Sequence, residues 1–173
     1  MLKKLLPFEE LFYHSSLTNE ELISRLQNEI EAEKSFSFKL NYNSYTKPYI
    51  GTMSHNNFKI KRAISYRNSF LPIIEGKITS DISGSKINIK MHLEEFVKVF
   101  MIIWLGGVLF ACIAISYAYL FTNKTNTEDG GAIIIPFGML AIGLFMVSAG
   151  FKSESKKSIK DLEEILQAKI IKP

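Results

Sequence analysis

The sequence predicts an α+β fold: an antiparallel β-meander with an N-terminal helix, followed by a transmembrane α-helical hairpin and a C-terminal amphipathic helix. Two observations lead to this fold class. Two long stretches are apolar and uncharged, and the segment before them contains short runs in which apolar and polar residues alternate. The chain has 173 residues, and residues 1–98 precede the apolar stretches, which is the size of one small domain.

The apolar stretches cover Val99 to Phe121, 23 residues, and Ala132 to Phe151, 20 residues. As helices they would be about 35 and 30 Å long, enough to cross a hydrocarbon core of about 30 Å. We therefore expect the lipid bilayer to surround them. The predicted division of the chain is an α+β domain over 1–98, transmembrane helices over 99–121 and 132–151, an external loop over 122–131 and an amphipathic tail over 152–173.

The distribution of basic residues predicts the orientation in the membrane. The net charge is +4; 14 Lys and Arg precede Val99 and six follow Phe151, whereas the loop between the apolar stretches has Lys124 alone. Cytoplasmic flanks of membrane helices are enriched in basic residues, so we expect a multi-pass protein with both termini in the cytoplasm. The acidic pair Glu9–Glu10 interrupts the apolar start of the chain, which argues against a secretory signal.

Within the domain, Thr18 and Glu21 have the spacing of a capping box, and the helix that they begin is expected to reach about Ala32. Alternation predicts an antiparallel meander after it, with strands over 36–42, 49–53, 58–64, 74–82 and 87–91. Residues 1–17 are expected to pack on the domain or to lie at the membrane surface. In the tail, one helical face is expected to dock on the domain or on a second copy; it comprises Ile159, Leu162, Ile165, Leu166 and Ile170.

The segment 58–70 combines basic and aromatic side chains and is the most distinctive candidate binding surface. Lys59 and Lys61 are expected to project from one strand face, with Arg62 and Arg67 near its end. Beside a membrane such a group can bind anionic headgroups, at about 1 kcal/mol for each basic side chain near the surface. The alternative is a solvated strand face whose lysines prevent edge pairing, a common role of this pattern. Nucleic acid is not expected as a partner, because the aromatic side chains have the parity of core residues.

Small residues follow one face of the first apolar stretch, where another helix can approach closely. They are Gly107, Ala111, Ala114 and Ala118, and the second stretch offers the shorter counterpart Gly138 and Ala141. The expected partner is the second helix of the same chain, and a homo-oligomer is the alternative.

The sequence offers little for catalysis or metal binding. His14, His55 and His92 lie far apart, and the single cysteine, Cys112, falls within the first apolar stretch. Neither stretch contains the charged residues or histidines that mark ion pathways. We expect no catalytic residue, no metal site and no cofactor.

The run from Phe58 to Lys77, followed by Met91-His92-Leu93 and the entry into the first apolar stretch, resembles small bacterial two-helix membrane proteins of uncharacterised function. The resemblance covers about residues 50–105 and includes no catalytic motif. It implies a bacterial inner-membrane setting and no particular activity.

The expected function is therefore that of a non-enzymatic interaction module at the cytoplasmic face of the membrane. It would bind a protein or anionic lipid through the basic residues of segment 58–70. The alternative is an assembly or regulatory subunit of a membrane complex that acts through its transmembrane helices. An enzyme is the third hypothesis, and it requires Arg, His and Glu side chains to meet in one cleft.

Overall fold

The computed structural model describes residues 6–33, 45–121 and 130–171. The strands are β1 (Phe8–Ser15), β2 (Ile30–Glu31), β3 (Tyr49–Ser54), β4 (Asn57–Arg62), β5 (Ile73–Asp81), β6 (Gly84–His92) and β7 (Ala168–Ile171). The helices are α1 (Asn19–Glu29), α2 (Glu95–Phe121) and α3 (Gly130–Ile165). The strand predicted over 36–42 and most of the predicted loop lie outside the described residues.

The seven strands form one sheet in the order β2-β3-β4-β5-β6-β1-β7. Strands β3 to β6 form an antiparallel meander, and β1 and β7 extend it antiparallel beyond β6, while the short β2 pairs parallel to β3. The predicted α+β class, with its antiparallel meander, N-terminal helix and two long apolar helices, is confirmed.

The chain divides into two compact units. One comprises Met1–Glu94 together with Gly150–Pro173, and the other comprises Glu95–Ala149. The residues after Ala149 therefore belong to the same unit as the sheet, although the whole hairpin separates them from it in sequence.

The core of the sheet unit uses residues from both ends of the chain. Leu22 and Leu26 of α1 are buried, and so are Phe151 and Leu162 of α3. Fully burying one such side chain contributes about 1.5–3 kcal/mol. Ser155 of α3 is buried and also contacts the sheet, since its hydroxyl lies 3.5 Å from the Met91 sulfur. The C-terminal part of α3 is thus an integral layer of the domain.

The sequence pattern predicts the start of α1 correctly, but it predicts an end that lies beyond the observed end. The capping box is present: the Thr18 hydroxyl accepts a hydrogen bond from the Glu21 amide, and the Glu21 carboxylate accepts one from the Thr18 amide. The helix ends at Glu29, because Ile30 is extended and pairs with Tyr49 in the sheet. The helix is shorter than predicted because Ile30 pairs with Tyr49, 19 residues further along the chain.

Residues 8–15, expected to pack on the domain or to lie at the membrane surface, form strand β1 of the sheet and so belong to the domain. Two other expectations were wrong. The strand predicted over 74–82 ends at Asp81, and Ile82 lies fully exposed at the tip of the β5–β6 hairpin. Ile170 belongs to β7 instead of a helical face, because Gln167 adopts a left-handed conformation, with φ of 46°, and ends the helical segment.

Helices α2 and α3 are long and apolar enough to cross a membrane. Only 6% of the most apolar window of α2 and 17% of that of α3 is buried, whereas the core helix of a soluble protein is mostly buried. Helix α2 begins at Glu95, four residues before the predicted start, and α3 continues without a break through the predicted boundary after Phe151.

Residues 1–94 alone are expected not to form the stable domain, because the fragment lacks the buried Phe151, Leu162 and Leu166. Joining it to residues 150–173 through a long Gly-Ser linker restores these side chains and should restore the fold. Limited proteolysis of the two polypeptides measures the difference. Equal protease resistance of both polypeptides would contradict the role assigned to α3.

Candidate functional site

Alternation along the strands gives the sheet a core face and an open face. The core face carries buried apolar side chains, among them Phe58, Ile60, Ile74, Ile87 and Ile89. The intervening side chains define the open face, which carries the lysines Lys59, Lys61, Lys77, Lys86, Lys90 and Lys169 and the carboxylates Glu10, Glu75 and Asp81. Positive charge exceeds negative charge on these strands.

Four of the six lysines form ion pairs at the surface. The Nζ atoms of Lys59, Lys61, Lys86 and Lys90 lie 3.0, 2.5, 3.1 and 3.5 Å from carboxylate oxygens of Glu75, Glu33, Asp81 and Glu10 respectively. Solvent-exposed pairs contribute typically about 0–1 kcal/mol, so another anion can replace the carboxylate at little cost. Among the described residues, Lys77 and Lys169 have no carboxylate at ion-pair distance.

The centre of the open face contains a depression, which we call the lysine groove. Phe58 and Gly76 line it together with two groups of polar residues. We call the long side chains of Lys59, Lys77 and Lys90 its rim, and the shorter polar side chains of Thr52, Ser54, Asn57, Glu75 and Asn88 its floor. Its volume is about 470 Å³. The depression exists because long lysine side chains surround residues with short ones.

The backbone beneath the groove depends on Gly76. This glycine pairs with Phe58 across β4 and β5, and the Phe58 ring covers it on the core face. A Cβ at this position would collide with the ring, so only glycine fits without displacement of Phe58. The aromatic ring packs over this weak point of the strand and holds β4 beside β5.

Glu75 is the carboxylate of the groove floor, and the side chains of Lys59 and His92 lie beside it. The Lys59 ammonium lies 3.0 Å and the His92 Nε2 atom 3.5 Å from its Oε1 atom. The hydrogen bond from Lys59 is the largest cause that lowers the pKa of Glu75 below its ordinary value, and His92 adds to it. Glu75 therefore remains ionised near neutral pH.

The two predicted arginines do not share the open face with Lys59 and Lys61. The Arg62 side chain lies on the core face, where its Nη1 atom donates to Asp161 and its Nε atom lies 3.5 Å from Glu154. Arg67 is exposed in the segment that follows β4. The four candidate residues thus occupy three separate places.

Glu154 is the centre of a polar cluster between β4 and α3. Its side chain is only 2% exposed; its Oε1 atom accepts hydrogen bonds from the Tyr66 hydroxyl and from Lys157. Burial alone would raise the pKa of Glu154, but the hydrogen bonds from Lys157 and Tyr66 and the charges of Lys157 and Arg62 outweigh it. The pKa therefore lies below its ordinary value, and the carboxylate is buried in its charged form.

The second half of the basic and aromatic segment also packs on α3. The Asn68 amide donates to the Gly150 carbonyl oxygen at 3.2 Å, and the Phe70 ring would be 2.9 Å from a Cβ at Gly150. Tyr66 binds Glu154 one turn further along the helix. This segment therefore attaches α3 to the sheet unit and is not available as a single binding surface.

Within the hairpin unit, Gly143 is the point of close helix contact. A side chain there would collide with the Trp104 ring and would approach Leu105 to 3.3 Å. By contrast, among the described residues, none beyond the adjacent helical turn has an atom within 4 Å of a Cβ position at Gly107 or Gly138. Ala111 is half-buried, and Ala114, Ala118 and Ala141 are exposed.

Lys77 and Lys90 are groove residues that sequence reasoning missed. Both occur at outward positions of predicted strands, between apolar residues of the opposite parity. The alternation therefore indicated that both lysines point away from the core. Only the pairing of β4, β5 and β6 shows that they lie near Lys59.

Among the described residues, no group of three or more His, Cys, Asp or Glu side chains is arranged to hold a metal ion. Comparison of this chain with protein-family models, with curated proteins and with solved structures finds no match.

Replacing Arg62 by alanine is expected to lower the free energy of unfolding by about 1–3 kcal/mol, since it removes the guanidinium beside the buried Glu154 and the ion pair with Asp161, while Lys157 and Tyr66 still bind Glu154. Pulse proteolysis of the detergent-solubilised chain in urea measures the change. The control R67A removes an exposed arginine and should change stability by less than about 0.5 kcal/mol. Equal effects of the two substitutions would contradict the assigned role of Arg62.

The stability difference between R62A and the unmodified chain should also depend on pH. Because the pKa of Glu154 is lowered in the fold, its ionised form stabilises the protein above the ordinary carboxyl value of 4.5. This contribution is lost as the pH falls through the lowered pKa, so the difference should shrink below pH 4.5. A difference that grows as the pH falls below 4.5 would exclude Glu154 as the cause.

Proposed function

We propose that this chain is a non-enzymatic interaction module anchored in the cell membrane by α2 and α3, and that its open face binds anionic lipid. Both termini lie in the cytoplasm in this proposal, and the membrane is a bacterial inner membrane. The observation that carries the proposal is the set of six lysines on the open face of a sheet attached directly to a candidate membrane span.

The attachment matters because it leaves almost no linker. Strand β6 ends at His92 and α2 begins at Glu95, so only Leu93 and Glu94 separate them. A basic surface gains about 1 kcal/mol per lysine near an anionic membrane, and the gain falls off within about 8–10 Å. A short connection of this kind keeps the effective concentration of lipid around the open face high.

The ion pairs of the open face are compatible with this role. Each pairs a solvent-exposed lysine with a surface carboxylate, and such pairs are weak and sensitive to salt. A phosphate group can therefore take the place of Glu10 at Lys90 without disruption of the core. An acidic protein could use the same charges, and the experiment below distinguishes it from lipid.

Lysine protection in lipid nanodiscs tests the proposal on the full chain. In discs with about one-third anionic lipid, Lys77 and Lys90 should react several-fold more slowly with an amine-reactive reagent than in purely zwitterionic discs. Mass spectrometry of the labelled peptides gives the ratio for each lysine. High salt should abolish the protection, because screening weakens contacts between exposed charges.

Lys160 provides the matched control, since it is exposed on the part of α3 that belongs to the sheet unit. Its labelling rate should be the same in both kinds of disc. Equal rates for Lys77 and Lys90 in the two discs would contradict lipid binding. Protection that appears only after addition of an acidic protein would assign the open face to a protein partner.

A second candidate function is supported by the open space around Gly107 and Gly138. The contact between α2 and α3 uses Gly143 and Trp104, so the two open glycines are available to a helix of another chain. In this alternative the protein is an assembly or regulatory subunit of a membrane complex, acting through its transmembrane helices.

Two glycine substitutions separate the packing of the hairpin from association between chains. Gly107→Leu adds a side chain where, in the described part of the chain, no residue beyond its own helical turn lies within 4 Å, so it should abolish crosslinking between chains and leave the hairpin intact. Gly143→Leu collides with Trp104 and should destabilise the hairpin. Crosslinking in membranes and thermal stability in detergent measure the two effects. Unchanged crosslinking of the Gly107 variant would exclude this association face.

A further inference from the structure

The lysine groove has two chemically different parts. Its rim carries three ammonium groups, and its floor carries hydroxyl and amide groups from Thr52, Ser54, Asn57 and Asn88. An anionic membrane that is attracted only by charge would need the lysines of the rim and would not need the polar groups of the floor. The floor therefore adds a capacity for hydrogen bonding that charge attraction alone does not use.

The rim suits a phosphate group. Lysine is a compact point charge with three donors on a flexible stem, and it binds phosphate oxygens without a fixed geometry. Lys77 is the strongest candidate contact, because within the described part of the chain no carboxylate competes for it. Lys59 and Lys90 are already engaged with Glu75 and Glu10 through exposed ion pairs.

The floor suits hydroxyl groups of a ligand. Side-chain hydroxyls and amides both donate and accept hydrogen bonds, as do alcohols. Glu75 accepts hydrogen bonds from alcohols and repels carboxylates, because it remains ionised beside Lys59. A headgroup that carries a carboxylate is therefore disfavoured relative to one that carries hydroxyls.

The size of the groove limits the ligand. Its volume of about 470 Å³ is in the range of small-molecule sites, about 300–1,000 Å³. It accommodates one headgroup rather than a folded segment of protein.

We infer that the lysine groove binds the headgroup of an anionic lipid in which a phosphodiester carries free hydroxyl groups, as in a phosphoglycerol headgroup. The phosphate lies among the rim lysines, and the hydroxyls contact the polar floor. This inference rests on the proposed function and adds selectivity to it: two lipids of equal charge bind with different affinity.

Competition between two lipids of equal charge tests the inference. The full chain in detergent is given equal amounts of phosphatidylglycerol and phosphatidylserine, and native mass spectrometry counts the lipids retained. Phosphatidylglycerol should be retained about tenfold more, the difference that two net hydrogen bonds can supply. The double variant S54A/N57A, which keeps every lysine, should reduce this ratio to about one.

Ser153→Ala is the matched control, since it removes an exposed hydroxyl from α3 outside the groove. It should keep the tenfold preference. Lys77→Gln should weaken the retention of both lipids, because it removes the phosphate contact shared by the two.

The outcomes distinguish the inference from the proposed function. Equal retention of both lipids by the unmodified chain, with lysine protection still present in anionic nanodiscs, overturns the inference alone. Loss of binding to every anionic lipid overturns both. Saturable binding of free glycerol 3-phosphate without retention of lipid overturns the lipid source and assigns the groove to a soluble phosphate ester.

Discussion

Helix α2, and α3 up to Ala149, expose a large apolar surface, and the rest of the fold has to accommodate this surface. Side chains such as Ile103, Phe110 and Phe145 are at least 70% exposed. Each aliphatic or aromatic side chain left in water forgoes about 1.5–3 kcal/mol relative to burial, and these helices carry many of them. A bilayer removes this cost, since hydrocarbon is the solvent that such surfaces match. Both helices are also long enough to cross a bilayer.

A second constraint gives the two faces of the sheet different roles. The residues that follow Ala149 return to the sheet unit and supply the buried Phe151 and Leu162, so α1 and α3 together cover the core face. They also bring Glu154 and Asp161 to Arg62, which commits that arginine to a structural role. The opposite face keeps its lysines in solvent. Because the C-terminal part of the chain packs on the core face, Arg62 stabilises the fold, whereas the lysines of the open face can bind a ligand.

The features that could be predicted from the sequence are those set by nearby residues. The capping box at Thr18 depends on a spacing of three residues, and the meander depends on alternation within single strands. The features that could not be predicted depend on distant partners. Strand β1 was missed because its pairing with β6 and β7 decides its conformation, and Arg62 was misassigned because Asp161 lies 99 residues away. Lys77 joins the groove for the same reason, since register across β4, β5 and β6 is a non-local property.

Alkaline carbonate extraction of membranes that contain the full chain tests whether α2 and α3 lie in the bilayer, because it removes peripheral proteins and leaves proteins with spanning helices in the membrane. The chain should stay in the pellet after carbonate treatment and should be released only by detergent. Release of the chain into the carbonate supernatant would contradict this placement, since the apolar surfaces of α2 and α3 would then be covered by something other than lipid.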